Sequence, residues 1–156
     1  SAFQGCSAFT SLVLPSTPAY TLITANCFQG CTNITSLTLS SNILHVSDSA
    51  FRGCNKIANV PQLSNIISIG NDAFNACSGI VGALVLGENL TLLGDRAFFD
   101  CPLLTSATFL GPRPQGLSQA VQIFGLTAGA STPFYVNVFT KMDGMALTLL
   151  LVMPWL

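Results

Sequence analysis

The hexapeptide SAFRGC (49–54) is one of five near copies in this chain, the others being SAFQGC (1–6), NCFQGC (26–31), DAFNAC (72–77) and RAFFDC (96–101). A catalytic constellation is normally written once. A small residue, a Phe and a Cys written five times in the same order is a structural unit. The closing cysteines Cys6, Cys31, Cys54, Cys77 and Cys101 stand 25, 23, 23 and 24 residues apart, a spacing typical of stacked repeat arrays.

Other positions keep the same phase. Three residues after each Cys stands Phe9, Ile34, Ile57, Ile80 or Leu104. An alternating apolar pair follows: Leu12/Leu14, Leu37/Leu39, Val60 with Gln62 or Leu63, Leu84/Leu86, and Ala107/Phe109. Such alternation marks a strand with one buried face. Five residues before the Phe sits Ile23, Val46, Ile69 or Leu93, and eight before it Tyr20, Ile43, Ile66 or Leu90.

Each period therefore reads as a strand, a loop, a second short extended segment and one helical turn carrying the Phe and Cys. Asp48, Asn71 and Asp95 stand three residues before their Phe and suit the N-cap of that turn, with Ala25 as the exception. Gly70 and Gly94 are placed where the chain bends. The expected fold is a strand-rich α/β solenoid: a right-handed, leucine-rich-repeat-like superhelix with a parallel β-sheet on its concave face and short helical turns on its convex side. Two irregularities are expected, at Pro61, which has no N–H to give a ladder, and at Gly82, an extra residue that shifts its strand by one.

With these columns in place, the chain resembles the BspA-type leucine-rich repeat family. AFQGCSAFTSLVLP (2–15) matches the first half of that family's pattern, A-F-x-x-C-x-x-L-x-x-L-x-L-P. NIISIGNDAFNAC (65–77) matches the second half, which runs through I-G-x-x-A-F. The resemblance covers residues 1–110, the repeat solenoid. Residues 111–140 are similar to the atypical terminal repeats of such arrays, with a last short strand expected at Phe134-Tyr135-Val136. The resemblance implies a secreted or cell-surface module that binds host proteins, other cells or matrix, with no enzyme activity and no cofactor.

Composition and chemistry agree with a non-catalytic module. Charged residues are 7% of the chain, against about 25% in an average soluble domain. A formal net charge of −1 argues against nucleic acid as a partner. His45 is the only histidine, and no phosphate-binding loop, dinucleotide fingerprint or metalloprotease helix is present. The cysteines read as a ladder of buried thiols, because stacked side chains point in parallel and sit poorly for a disulfide. One or more disulfides, or a metal site, are the alternatives. The outward positions of the main strands, Ser11, Val13, Ser36, Thr38, Asn59, Val85, Ser106 and Thr108, form the expected ligand-binding face on the concave side. Two sequons, Asn33-Ile34-Thr35 and Asn89-Leu90-Thr91, matter only in a eukaryotic secretory setting.

The chain starts inside its own repeat, without an initiator Met or a signal-peptide pattern, and reads as a piece of a longer array. Residues 141–156, KMDGMALTLLLVMPWL, leave the repeat phase. Their apolar run from Met145 is shorter than the roughly 20 residues a membrane helix needs. It reads as a truncated membrane span, a short helix over the last repeat, or a tail without a native role, and a membrane partner follows only from the first. Besides a protein- or cell-binding module, the repeats also fit an accessory targeting domain of a larger enzyme or a structural spacer. Each coil offers about six apolar side chains, each worth roughly 1.5–3 kcal/mol once buried, which only neighbouring coils can cover. Leu39→Asp is thus predicted to unfold much more than one repeat; a soluble variant with unchanged circular dichroism and melting would contradict the packing.

Overall fold

The computed structural model describes residues 2–59, 62–116, 123–125, 135–142 and 145–152, the last two segments as backbone. In chain order the strands are β1 (Ser11–Val13), β2 (Leu22–Ile23), β3 (Ser36–Thr38), β4 (His45–Val46) and β5 (Ser68–Ile69). They continue as β6 (Gly82–Leu86), β7 (Leu92–Leu93), β8 (Leu104–Phe109), β9 (Tyr135–Met142) and β10 (Met145–Val152). The longer strands form one side of each coil, with β1 beside β3 and β6 beside β8. The two-residue strands form the other side, in the order β2-β4-β5-β7.

All of these pairings are parallel, and their register is the sequence period. Ser11 pairs with Ser36, Leu22 with His45, His45 with Ser68, and Ser68 with Leu92. Columns read from the sequence are therefore columns in space, and the chain is a strand-rich parallel β-solenoid of about four turns.

The columns fill the core. Ile23, Val46, Ile69 and Leu93 line the inner side of the short strands, and Leu37, Leu84, Leu86, Ala107 and Phe109 that of the long ones; all are buried. Leu63 rather than Gln62 takes the inward place in the third coil, where it bridges to Leu86. Phe28, Phe51, Phe74 and Phe98 stack in a continuous spine, with ring centroids 5.4, 5.2 and 5.1 Å apart and interplanar angles of 9°, 11° and 6°. Phe3 extends it at one end, 5.5 Å from Phe28, and Phe124 at the other, 6.1 Å from Phe98. Phe124 lies outside any A-F-x-x-C motif. Its place is fixed by the preceding residue, Ile123, whose carbonyl accepts the Phe98 N–H at 2.9 Å as Ala97 accepts that of Phe74 at 2.8 Å.

In the described hexapeptides the expected helical turns are absent and linked β-turns form instead, whereas Ile123 and Phe124 at the end of the spine are helical. Within NCFQGC the N–H groups of Asn26, Phe28 and Gly30 donate to Asp48, Ala50 and Arg52 of the next coil. Those of Cys27, Gln29 and Cys31 donate three residues back within their own coil, to Thr24, Asn26 and Phe28. The next coil repeats the alternation: Ser49, Phe51 and Gly53 donate forward to Asn71, Ala73 and Asn75. An α-helix sends every N–H back along its own segment, so it could not make these bonds. Alternate peptides are turned outward by left-handed backbone at the first and fifth hexapeptide positions, Asn26 and Gly30, Ser49 and Gly53, Asp72 and Ala76, Arg96 and Asp100.

Side chains expected at helix caps are redirected accordingly. The Asp48 carboxylate accepts the backbone N–H of Asn71 at 2.7 Å, and the side-chain Oδ1 of Asn71 that of Asp95 at 2.8 Å, each its counterpart one coil on. Gly70 and Gly94 do not serve as bends; they let coils approach closely. A Cβ built on Gly70 would fall 2.6 Å from Asp48 N, and one on Gly94 2.5 Å from Asn71 N. At Gly82 the expected irregularity is present as a register shift between Gly82 and Ala83, with φ at +101°. Val60 and Pro61 lie outside the described residues. On either side of them the long-strand sheet is split, with β3 and β6 in separate sheets.

Beyond the fifth coil, β9 continues the sheet in parallel beside β8, pairing Tyr135 with Ser106 and Val138 with Phe109. Phe134, expected to begin this strand, lies outside the described residues. Met145–Val152 is a strand in place of the short helix considered above; β10 runs antiparallel to β9, with Met145 opposite Met142. Asp143-Gly144 between them is a pair that favours two-residue hairpins. Among the described residues no helix is long and apolar enough to cross a membrane.

The spine makes a direct prediction. Phe74 is fully buried between two rings, so Phe74→Ala should cost about 3–5 kcal/mol in urea denaturation. A loss below about 1 kcal/mol would mean that the rings do not carry the packing.

Candidate functional site

The outward rows of the long strands follow from the register. Ser11 lies beside Ser36 and Val13 beside Thr38 on β1 and β3. On β6 and β8, Ala83 lies beside Ser106 and Val85 beside Thr108. Ser11, Ser36 and Thr38 are exposed, Ser106 and Thr108 half-buried. The two valines stand out, Val13 at 71% and Val85 at 46% exposure. Ala83, also exposed, belongs to the face although the sequence reading left it out. Its signal was available, since it alternates with the inward Leu84 and Leu86.

Asn59 does something other than expected. Its Oδ1 accepts the backbone N–H of Leu37 at 3.1 Å, and its Nδ2 donates to the Leu37 carbonyl at 2.8 Å. The carboxamide imitates a backbone peptide and holds the third coil to β3. Both of its polar ends are therefore committed to the scaffold. The expected face of eight residues is divided into two patches, one on β1 and β3 and one on β6 and β8.

No charged side chain occupies either patch. The ion pair among the described residues, Arg96 Nη2 to Asp72 Oδ2 at 2.9 Å, lies in the turn segments. His45 faces outward on the short-strand side, its Nδ1 2.8 Å from the Ser68 hydroxyl. No group of three metal-ligating side chains occurs among the described residues. Hydroxyl groups and apolar surface are what the long-strand face presents, so it can act by shape, van der Waals contact and neutral hydrogen bonds.

The cysteines are structural. All six are free thiols. Cys31, Cys54, Cys77 and Cys101 donate Sγ–H to the carbonyls of Phe3, Phe28, Phe51 and Phe74 one coil back, at 3.0, 3.1, 3.1 and 3.3 Å. The same Phe3, Phe28, Phe51 and Phe74 carbonyls also accept the backbone N–H of Cys6, Cys31, Cys54 and Cys77, so each thiol fills the remaining lone pair. Burial pushes the thiols of Cys54 and Cys101 up to about 12 and that of Cys77 well above its ordinary value. A protonated, buried thiol is neither nucleophile nor metal ligand.

Residues 1–112 match the BspA type leucine-rich repeat region in six copies. The chain belongs to this family of leucine-rich repeat proteins, whose solenoids are generally protein-interaction modules, typically without catalysis. It is similar in fold to the crystal structure of the T. pallidum leucine-rich repeat protein, with a TM-score of 0.64 and 23% identity over 84% of this chain and 77% of that one. No curated protein gives a match.

The raised thiols set a pH dependence. Unfolded thiols lose their protons from about 9, whereas the folded Cys54 and Cys101 keep theirs to about 12. Above the unfolded value the unfolded state binds fewer protons, so stability declines as pH rises toward 12 and is unaffected by these groups below 9. The expected slope is about 1.4 kcal/mol per pH unit for each linked thiol. Urea titrations between neutral and strongly alkaline pH should show this fall. Substituting Cys54 and Cys101 with Ala should reduce it, with Cys77 and Cys31 carrying the remainder, and an equal slope in that variant would rule Cys54 and Cys101 out as a source.

Proposed function

We propose that this solenoid is a non-catalytic binding module of adhesion type, docking a protein or cell-surface ligand on the outward rows of its long strands. Val13 and Val85 carry the reading. An exposed Val in register with a Thr contributes little to the core, yet presents apolar surface that a partner can cover. Ser11, Ser36, Thr38, Ser106 and Thr108 surround them with neutral hydroxyls that adapt to donors or acceptors. The concave curvature expected of such arrays would let several coils touch one ligand. An extracellular or cell-surface location fits a family that is commonly surface-associated in bacteria.

Four lysines test the face. Replacing Ser36, Thr38, Ser106 and Thr108 together with Lys puts unpaired charge into both patches. Beads coated with the chain are expected to adhere to cultured epithelial cells, and the variant to lose at least about tenfold in apparent affinity, the equivalent of ~1.4 kcal/mol, with unchanged circular dichroism and melting. Equal adhesion by a folded variant would move the docking site elsewhere. Absence of adhesion by the parent chain would favour a spacer.

A further inference from the structure

The two Asn-x-Thr triplets occupy similar places and face different fates. Asn33 is the third residue of the turn closed by Ile34 N donating to Cys31 O at 3.3 Å, and Asn89 of the turn closed by Leu90 N donating to Gly87 O at 3.4 Å. The Asn33 carboxamide is used at both ends. Its Nδ2 donates to Ser7 O at 2.9 Å, and its Oδ1 accepts from Lys56 Nζ at 2.8 Å. It ties three successive coils together and is half-buried.

Asn89 belongs to a different column, with Asn42 and Asn65. Those two donate to the preceding coil, Asn42 to Ser16 O at 2.6 Å and Asn65 to Ser41 O at 3.2 Å. The Asn89 side chain makes no such bond among the described residues and is exposed, with exposed Glu88 beside it. The Thr91 hydroxyl donates to Ile67 O at 3.1 Å, as that of Thr35 does to Thr10 O at 2.9 Å, so the two triplets differ at their Asn. In a structure whose polar side chains repeatedly reach back one coil, this carboxamide is left for solvent. The turn that carries it lies between β6 and β7, beyond the outward rows of the long strands.

We infer that Asn89 is an acceptor of an N-linked glycan and that Asn33 is not, in a chain exported through a glycosylating secretory route; the inference rests on the extracellular reading above. The donor is a lipid-pyrophosphate-linked oligosaccharide. Asn89 Nδ2 forms a bond to the anomeric carbon, the bond from that carbon to the pyrophosphate oxygen breaks, and the displaced amide proton passes to solvent. Nothing is oxidised or reduced. A glycan on Asn33 would displace the bonds to Ser7 and Lys56, so molecules carrying it would fail to stack their second coil. A glycan on Asn89 costs the scaffold no hydrogen bond.

The test is secretion of the whole chain from a eukaryotic host that supplies the leader, with intact mass measured before and after peptide N-glycosidase treatment. The expected result is one glycan on the parent chain, retained by Asn33→Gln and lost by Asn89→Gln. Asn89→Gln should leave the melting temperature of the deglycosylated protein unchanged, while Asn33→Gln lowers it. A secreted, folded parent chain without a glycan, or with one on Asn33, overturns the assignment. Because the host supplies export, either result concerns the acceptor; the location of the native chain is judged separately, by surface fractionation.

Discussion

Half of the backbone N–H groups in the three central hexapeptides, NCFQGC, SAFRGC and DAFNAC, point along the stack, and only an adjacent coil can accept them. This constraint governs the rest of the structure. It requires left-handed backbone at two positions per turn, excludes a helix, and brings successive coils into a register equal to the period. It also places each Phe ring over the last, at a centroid spacing of 5.1–5.5 Å between Phe3 and Phe98 that matches the spacing of strands. The Cys column follows as well. Each Phe carbonyl from Phe3 to Phe74 takes a turn N–H from its own coil, and the thiol of the next coil supplies the second donor.

Because the scaffold consumes so many polar groups in this way, the surface open to a partner is narrow in chemistry. Side-chain amides in the loops reach back to carbonyls of the preceding coil, as Asn42 and Asn65 do. Asn59 bonds to both the N–H and the carbonyl of Leu37, as a backbone peptide would. What remains on the long-strand face is small and neutral. A partner docked on such a surface would have to fit it across several coils.

The period, the inward columns, the aromatic spine, the unpaired thiols and the irregularity at Gly82 were all legible in the sequence, because each is a feature of spacing. The turn conformation was not. Asp48, Asn71 and Asp95 suit the first residue of a helix and the start of a β-turn equally well, since both need an acceptor for a free N–H. The discriminating signal was Gly5, Gly30 and Gly53 at one hexapeptide position, where positive φ is required. The role of Asn59 was hidden because it occurs once and answers to a local break, so periodicity says nothing of it. The antiparallel pairing of β9 and β10 was obscured by a uniformly apolar run, which fits helix and strand alike. Of the expected binding residues, Ser11, Val13, Ser36 and Thr38 line up on β1 and β3 and Val85, Ser106 and Thr108 on β6 and β8, while the exposed Asn59 bonds sideways to the Leu37 backbone.

The alternation of inward and forward bonds has a consequence for how such arrays change over time. Inserting one residue into a hexapeptide would exchange the N–H groups that point forward with those that point back, and would unsatisfy both neighbours at once. The same insertion on the long-strand side is absorbed locally, as the register shift at Gly82 demonstrates. Each coil thus has one side of fixed length and one that tolerates gain or loss. The spacings of 23 to 25 residues between cysteines, with the hexapeptide itself always intact, are the record of that asymmetry. New loops can enter only from the permissive side.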